Sequence, residues 1–275
     1  MSTTIPFKAV AVDMDGTFMN DDLTYDHQRF DEVLTRLHNH GIHFIVSSGR
    51  PLSRLKRDFA NFLDRIDIIA ENGAILVQDN NIISSHYLTQ KTGSELINFI
   101  QNNYPQAYIC VSGRNGSYYL NSYPTAFKRL MNFYYPDNTP VDNFDEIPAS
   151  ERVIKLTLNV SADLAPTIED HFNHAHSERI HCTTSGFDDI DVVPYGVNKA
   201  QALKYFLRYF KLDPNQLIAF GDGLNDKEML ELAGYSYAMA NGNPEIIKLA
   251  KYTAPSNNDS GVLQVLEKYL DDAEK

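Results

Sequence analysis

The sequence has no tryptophan and only two cysteines, Cys110 and Cys182, with no CxxC pair. That excludes a zinc ribbon, a dithiol redox centre and a disulfide-stapled scaffold, and it suits a chain that works in a reducing cytoplasm. Cations are in deficit: 24 Lys plus Arg stand against 36 Asp plus Glu, a net charge of −12. A field of that sign repels nucleic-acid phosphates and anionic lipid, so neither is an expected partner. No run approaches the ~20 apolar residues of a membrane-spanning helix, and Asp13 arrives before a signal-like apolar segment has formed. The chain is therefore expected to be soluble and unexported. Internal repeats and low-complexity tracts are also lacking.

What is present is length and a strand–helix rhythm. At 275 residues the chain exceeds what one hydrophobic core usually organises, and two domains are expected. The apolar run "AVAV" before Asp13 reads as a buried strand. "TYDHQRFDEVLTRLHNHG" then carries Phe30, Val33, Leu34 and Leu37 at helical spacing, with Thr24 as candidate N-cap and Gly41 as stop. "IHFIV", a helix through Leu52, Leu55, Phe59 and Phe62, and "IDIIA" repeat the alternation, which indicates βαβ units and a parallel sheet. From Glu71 the rhythm breaks: a hairpin turns at 78–81, and about a hundred residues of hairpins and helices follow. The βα rhythm returns with "IDVVP", a helix over 199–210 and the strand "LIAF". The expected fold is α/β: a Rossmann-like parallel-sheet core built from 1–86 plus 189–275, enclosing an inserted α+β cap at 87–188.

In open parallel sheets ligands gather beyond the carboxyl ends of the strands. The residues expected there are polar or glycine: Asp13-Met14-Asp15-Gly16-Thr17, Ser47-Ser48-Gly49-Arg50, and Gly221-Asp222-Gly223-Leu224-Asn225-Asp226, with Lys199 opening the helix after "IDVVP". Each knot alone also makes an ordinary turn or helix cap; four at four strand ends of one sheet point to a site. Asp13 and Asp15, two apart, lean to the same side, and close carboxylates split their roles because they resist joint ionisation. Asp222 and Asp226 add negative charge to the crevice, which then requires a cation. A few carboxylates without His or Cys suit Mg²⁺. Ser48, the amide of Gly49 and Lys199 can hold an anion, and carboxylates serve as nucleophiles in aspartyl-phosphate chemistry. Together these residues specify phosphoryl transfer.

At these motifs the sequence resembles the haloacid dehalogenase-like phosphatases, in particular the Cof-type branch with its cap inserted between the second and third motifs. "DMDGT", Ser48 in "SSGRP", Lys199 in "GVNKAQAL" and "GDGLND" carry the resemblance, which spans nearly the whole chain. "DMDGTF" and "TTSGFDDIDVVP" look most similar to the SupH-like bacterial sugar phosphatases. The resemblance implies that Asp13 attacks phosphorus and that Asp15 protonates the leaving alkoxide and then activates water. It implies Mg²⁺ held by Asp13, the carbonyl of Asp15 and Asp222, with Asp226 in support. Ser48, Gly49, Lys199, Asn225 and the amide of Met14 would hold the phosphate. Asn198 and Ala200 depart from the Ser and Gly that relatives often carry beside the lysine. Specificity would lie in the cap, with Gly186, Phe187 and Asp188 as candidate sugar contacts and Arg50 as the core-side candidate.

The expected activity is Mg²⁺-dependent hydrolysis of small phosphorylated metabolites, above all sugar phosphates. The alternatives are a phosphomutase or phosphotransferase, in which an alcohol intercepts the aspartyl-phosphate, and a catalytically vestigial sensor of phosphorylated metabolites. His171, His174, His176 and His181 cluster in sequence but read as a solvated helix end, and the aromatic run "YYPDN" reads as packing.

Overall fold

A computed structural model of the chain describes residues 4–161, 163–175, 178–184 and 189–275. The first strand, β1 (Ala9–Val12), is followed by α1 (His27–Asn39), β2 (His43–Ser47), α2 (Leu52–Asp58) and β3 (Asp67–Ala70). The hairpin of β4 (Ile75–Gln78) and β5 (Asn81–Ser85) comes next. The chain then makes α3 (Gln90–Asn103), β6 (Tyr108–Gly113), β7 (Ser117–Leu120), α4 (Thr125–Tyr134) and β8 (Asn138–Val141). Beyond these lie β9 (Val153–Asn159), α5 (Ala165–Ala175), β10 (Ile180–Thr184) and β11 (Asp189–Pro194). It closes with α6 (Lys199–Phe210), β12 (Leu217–Gly221), α7 (Lys227–Leu232), β13 (Tyr235–Met239), α8 (Pro244–Leu249), β14 (Tyr252–Ala254) and α9 (Gly261–Glu274).

The described strands form two sheets, an eight-stranded one in the order β14-β13-β12-β1-β2-β3-β4-β5 and a six-stranded one in the order β10-β11-β9-β6-β7-β8. In the first, β14 through β3 run parallel and the β4–β5 hairpin is antiparallel. Successive residues of β1 go to opposite faces, as strand geometry requires. Val10 and Val12 pack with α1 and α9 residues such as Phe30 and Leu266, whereas Ala9 and Ala11 pack with Leu203 and Phe206 of α6. Burial on both faces explains why these strands read as unbroken apolar runs. From β1 the chain moves outward to β2 and β3, and from β12 it moves the other way to β13 and β14. The switch point therefore lies between β1 and β12, where such sheets place their ligands.

The structure departs from the sequence reading in several places. Asp189–Pro194 pairs antiparallel with β9 and β10 in the six-stranded sheet, so the return to the core comes after Pro194 and not at residue 189. A short apolar run does not reveal whether its neighbours run parallel or antiparallel. The N-cap of α1 is Asp26, whose side chain accepts from the Arg29 amide at 3.0 Å, and not Thr24. β8, β10 and β14 are strands too short or too polar to stand out by periodicity. Among the described residues no helix is long and apolar enough to cross a membrane.

Candidate active site

Asp13 extends the β1 ladder by one bond, its amide donating to the Phe220 carbonyl at 3.0 Å. The backbone then makes a wide turn, closed by Phe18 N to Asp13 O (3.2 Å) and Met19 N to Met14 O (2.9 Å). Gly16 permits this turn: its φ is +73°, and a Cβ there would press on the Asp222 carboxylate. Thr17 Oγ1 donates to Asp222 Oδ1 at 2.7 Å, which ties the turn after β1 to the turn after β12. From a third loop, Asn241 Nδ2 donates to the Gly16 carbonyl at 2.8 Å.

The β12 turn is organised around Asp226, which is fully buried. Its Oδ2 accepts from the amides of Asp222 and Gly223, both at 3.1 Å, and its Oδ1 accepts from Lys199 Nζ at 2.6 Å. The same ammonium donates to Asp13 Oδ1 at 2.5 Å. Lys199 thus sits between two buried carboxylates, 2 % exposed. Its route to the site is not the one expected, because the strand before it belongs to the other sheet. Gly73, at φ +105°, lets the turn after β3 abut the start of α6, where any Cβ would lie 2.5 Å from the Asn198 carbonyl. Asn198 caps that helix by accepting from the Gln201 amide at 2.8 Å.

Asp13, Asp222 and Asp226 each present a carboxylate oxygen within 4.8 Å of the other two. Burial, then the Asp226 charge, pushes the Asp13 carboxyl well above the usual carboxylate range, against the pull of Lys199. The same two causes raise Asp222 to about 6. Crowded carboxylates kept from water favour a cation that restores their ionised form. The donor set is all oxygen, so the residues present fit Mg²⁺.

The loop after β2 completes the arrangement. Ser48 is 1 % exposed, and its Oγ accepts from the Arg50 amide at 3.1 Å. The amides of Gly49 and Met14 have no acceptor among the described residues and remain available to an anion. Arg50 grips Asp15 with both arms, Nε to Oδ2 at 2.8 Å and Nη2 to Oδ1 at 2.5 Å, and its Nη1 donates to Asp58 at 2.6 Å. Bidentate pairing fixes the Asp15 carboxylate in direction as well as place.

The structure thus gathers Asp13, Asp15, Met14, Ser48, Gly49, Arg50, Lys199, Asp222 and Asp226 at the carboxyl ends of β1, β2 and β12. Asn225 is half-buried on the β12 turn. Arg50 is committed to Asp15 and Asp58 and is not open to the crevice. Gly186, Phe187 and Asp188 lie outside the described residues, as does His176. His171 pairs with Tyr104 OH at 2.6 Å and His174 with Asp170, in keeping with a helix surface. Sequence reading places Thr17 at the site without a role and does not find Asp58, Asn241 or Arg54. Arg54, four residues before Asp58, donates to it at 2.8 Å, a spacing visible in "RLKRD". Of the "YYPDN" aromatics, Tyr135 is buried as expected, but Tyr134 lies 5.8 Å from the Arg50 guanidinium, and Phe133 just before the run lies 4.3 Å from that of Arg54.

A strand-order switch, an aspartate pair and a buried lysine between carboxylates describe a class of phosphoryl-transfer hydrolase. The chain belongs to the haloacid dehalogenase-like hydrolases, whose family model matches residues 10–266. It is 34 % identical over 263 residues, 96 % of each chain, to the Escherichia coli K12 protein YbjI, a 5-amino-6-(5-phospho-D-ribitylamino)uracil phosphatase. It is 25 % identical over 277 residues to YitU of Bacillus subtilis 168, which bears the same activity name, covering 95 % of this chain and 97 % of that one. The crystal structure of SMU.1108c from Streptococcus mutans UA159 superposes with a TM-score of 0.93 at 36 % identity, covering 96 % of this chain and 99 % of that one. The protein is a phosphoric monoester hydrolase with the α/β core and cap of its family.

Proposed function

We propose that the chain hydrolyses small phosphorylated metabolites, sugar and sugar-alcohol phosphates first among them, through a phosphoryl group carried on Asp13. The observation that carries this reading is the Lys199 ammonium held 2.5 Å from Asp13 and 2.6 Å from Asp226, at the switch point of the sheet. Asp13 and Asp222, with the carbonyl of Asp15, would hold Mg²⁺, and Asp226 supports them from behind because its oxygens already serve two amides and Lys199. When bound, the ion neutralises charge on the phosphoryl oxygens and favours the ionised carboxylates.

An Asp13 Oδ attacks phosphorus, and the bond to the ester oxygen breaks. The departing alkoxide takes a proton from Asp15, which then accepts one from the water that attacks the aspartyl-phosphate. Lys199, the Ser48 hydroxyl and the Gly49 and Met14 amides receive the phosphoryl oxygens, donors already in place before charge develops. Arg50 orients Asp15 but pairs with both oxygens of its carboxylate form, so Asp15 gives up part of that pairing to carry the proton it donates. Similarity to YbjI makes a phosphorylated ribitylaminouracil a compound to include among the substrates tested.

The test is a panel of sugar, sugar-alcohol and ribitylaminouracil phosphates, with wild type and Asp13→Asn, in Mg²⁺ and in chelator. Hydrolysis is expected for wild type in Mg²⁺ only. Release of phosphate by folded Asp13→Asn at the wild-type rate would overturn the assignment, and recovery of phosphate on an added acceptor sugar would mark a phosphotransferase instead.

A further inference from the structure

The six-stranded cap sheet buries one face against α3 and α5. Along β9, Leu156 and Leu158 enter that face, and along β11 so do Ile190 and Val192. Strand alternation sends Lys155, Thr157 and Asp191 to the other side, which by pattern should be wet. Lys155 and Asp191 are nevertheless only 2 % exposed, and Ser112 of β6, paired in register with Lys155, is 1 % exposed. Two core segments, the turn after β3 and the loop after β2, cover Lys155, Asp191 and Ser112, while Tyr135 of the cap covers Thr157, its hydroxyl 3.0 Å from Thr157 Oγ1.

The contacts across this junction are polar throughout. Lys155 Nζ donates to the Gly49 carbonyl at 2.8 Å and to Asp191 Oδ2 at 3.1 Å. Glu71 Oε2 lies 3.1 Å from the ammonium, an ion pair without hydrogen-bond geometry. Ser112 Oγ donates to Glu71 Oε1 at 2.6 Å and Asn72 Nδ2 to Asp191 Oδ2 at 2.7 Å. Glu71, Asn72 and Gly73 all hold positive φ, of 53°, 56° and 105°, a costly run that the surrounding bonds must over-determine.

These bonds occupy every carbonyl of the 48–50 loop from behind. Ser48 O accepts from the Asn72 amide at 3.0 Å and Arg50 O from the Glu71 amide at 3.1 Å, both from the core. Gly49 O alone of the three is held by the cap. Gly49 has no Cβ, and one would sit 3.0 Å from Asn72 Oδ1, so a side chain would crowd this position, which keeps the rotational freedom of glycine. Its own amide is the donor left free to an anion.

We propose that Lys155 is a positioning residue for this loop: its ammonium, delivered by the cap, fixes the Gly49 carbonyl, so that the Gly49 amide is set for a phosphoryl oxygen only while the cap is seated. The inference rests on the reading above that the 48–50 loop binds phosphate. It makes the cap more than a cover, because a core whose cap has lifted loses the cation behind its own phosphate loop. Glu71 then faces no ammonium and Gly49 O no donor.

The test is titration calorimetry of inorganic phosphate into the full chain with Mg²⁺ present. Lys155→Met is expected to weaken phosphate about tenfold, the scale of one charge-assisted hydrogen bond, with the Mg²⁺ activation constant within about twofold of wild type. Glu71→Gln breaks an ion pair of the same network without touching the Gly49 contact, and should lower the Tm yet keep phosphate affinity. A merely structural role would move Tm in both variants and phosphate affinity in neither. Should Lys155→Met fail to fold, Lys155→Gln carries the test, since its shorter, uncharged side chain keeps a donor for Asp191 but loses the charge-assisted bond to Gly49 O. Folded Lys155→Gln or Lys155→Met with wild-type phosphate affinity overturns the inference, as does an equal loss in Glu71→Gln. Wild type that neither binds phosphate nor hydrolyses p-nitrophenyl phosphate would instead overturn the phosphatase reading of the site.

Discussion

Replacing Lys199 by methionine removes the ammonium between Asp13 and Asp226, side chains that are 10 % and 0 % exposed. Taking one partner from a buried ion pair costs roughly 3–5 kcal/mol, because the remaining charge has neither water nor counter-ion. The penalty depends on pH in a definite direction. Lys199 is what pulls the Asp13 carboxyl down against burial and Asp226, so its loss drives that carboxyl higher still. A folded-state pKa above the unfolded value of 3.8 means that the native state holds a proton the unfolded chain has released, and stability falls as pH rises through that window. Urea denaturation in chelator should therefore show a larger deficit for Lys199→Met at pH 8 than at pH 5. Added Mg²⁺ should recover more stability in the variant than in wild type, since the ion replaces part of the missing positive charge. A deficit under about 1 kcal/mol, or one equal at both pH values, would refute this reading of the buried charges.

Two further outcomes follow from other parts of the fold. Burial, then the Asp79 charge, raises Asp67 at the start of β3 from 3.8 to about 7. Stability is then lost as pH rises from about 4 to 7, and Asp67→Asn should flatten the profile and gain about 2–4 kcal/mol at pH 8; denaturation curves of equal slope with pH would contradict it. Gly16→Ala places a Cβ against Asp222 at a φ of +73° and should cost about 1–3 kcal/mol together with most of the activity. Full turnover at an unchanged Tm would sink it.

Much of the core was legible because its strands are buried on both faces and end in short polar loops. The aspartates of "DMDGT" and "GDGLND" stand out by position: each alone could make an ordinary turn or cap, but both follow apolar runs read as strands of one sheet. The motif singles out Lys199, but the strand before it is not what delivers it. Its strand pairs in the cap sheet, and what delivers the side chain is Gly73 touching Asn198, a contact between residues distant in sequence. The motif places Arg50 toward the substrate, whereas two aspartates from different elements claim its guanidinium. Lys155 was invisible for a different reason. The alternation of "RVIKLTLNV" assigns it correctly to the polar side of its strand, and what buries it there is the loop after β2 and the turn after β3, distant in sequence.

The nucleophile can be tested most directly by acid-quenching the enzyme during turnover of a phosphate ester in Mg²⁺ and mapping its peptides by mass spectrometry. If Asp13 forms the bond to phosphorus, one phosphoryl group appears on the peptide containing Asp13, is released by hydroxylamine, and is missing from Asp13→Asn. Steady turnover with the phosphoryl group on another residue would contradict the proposal.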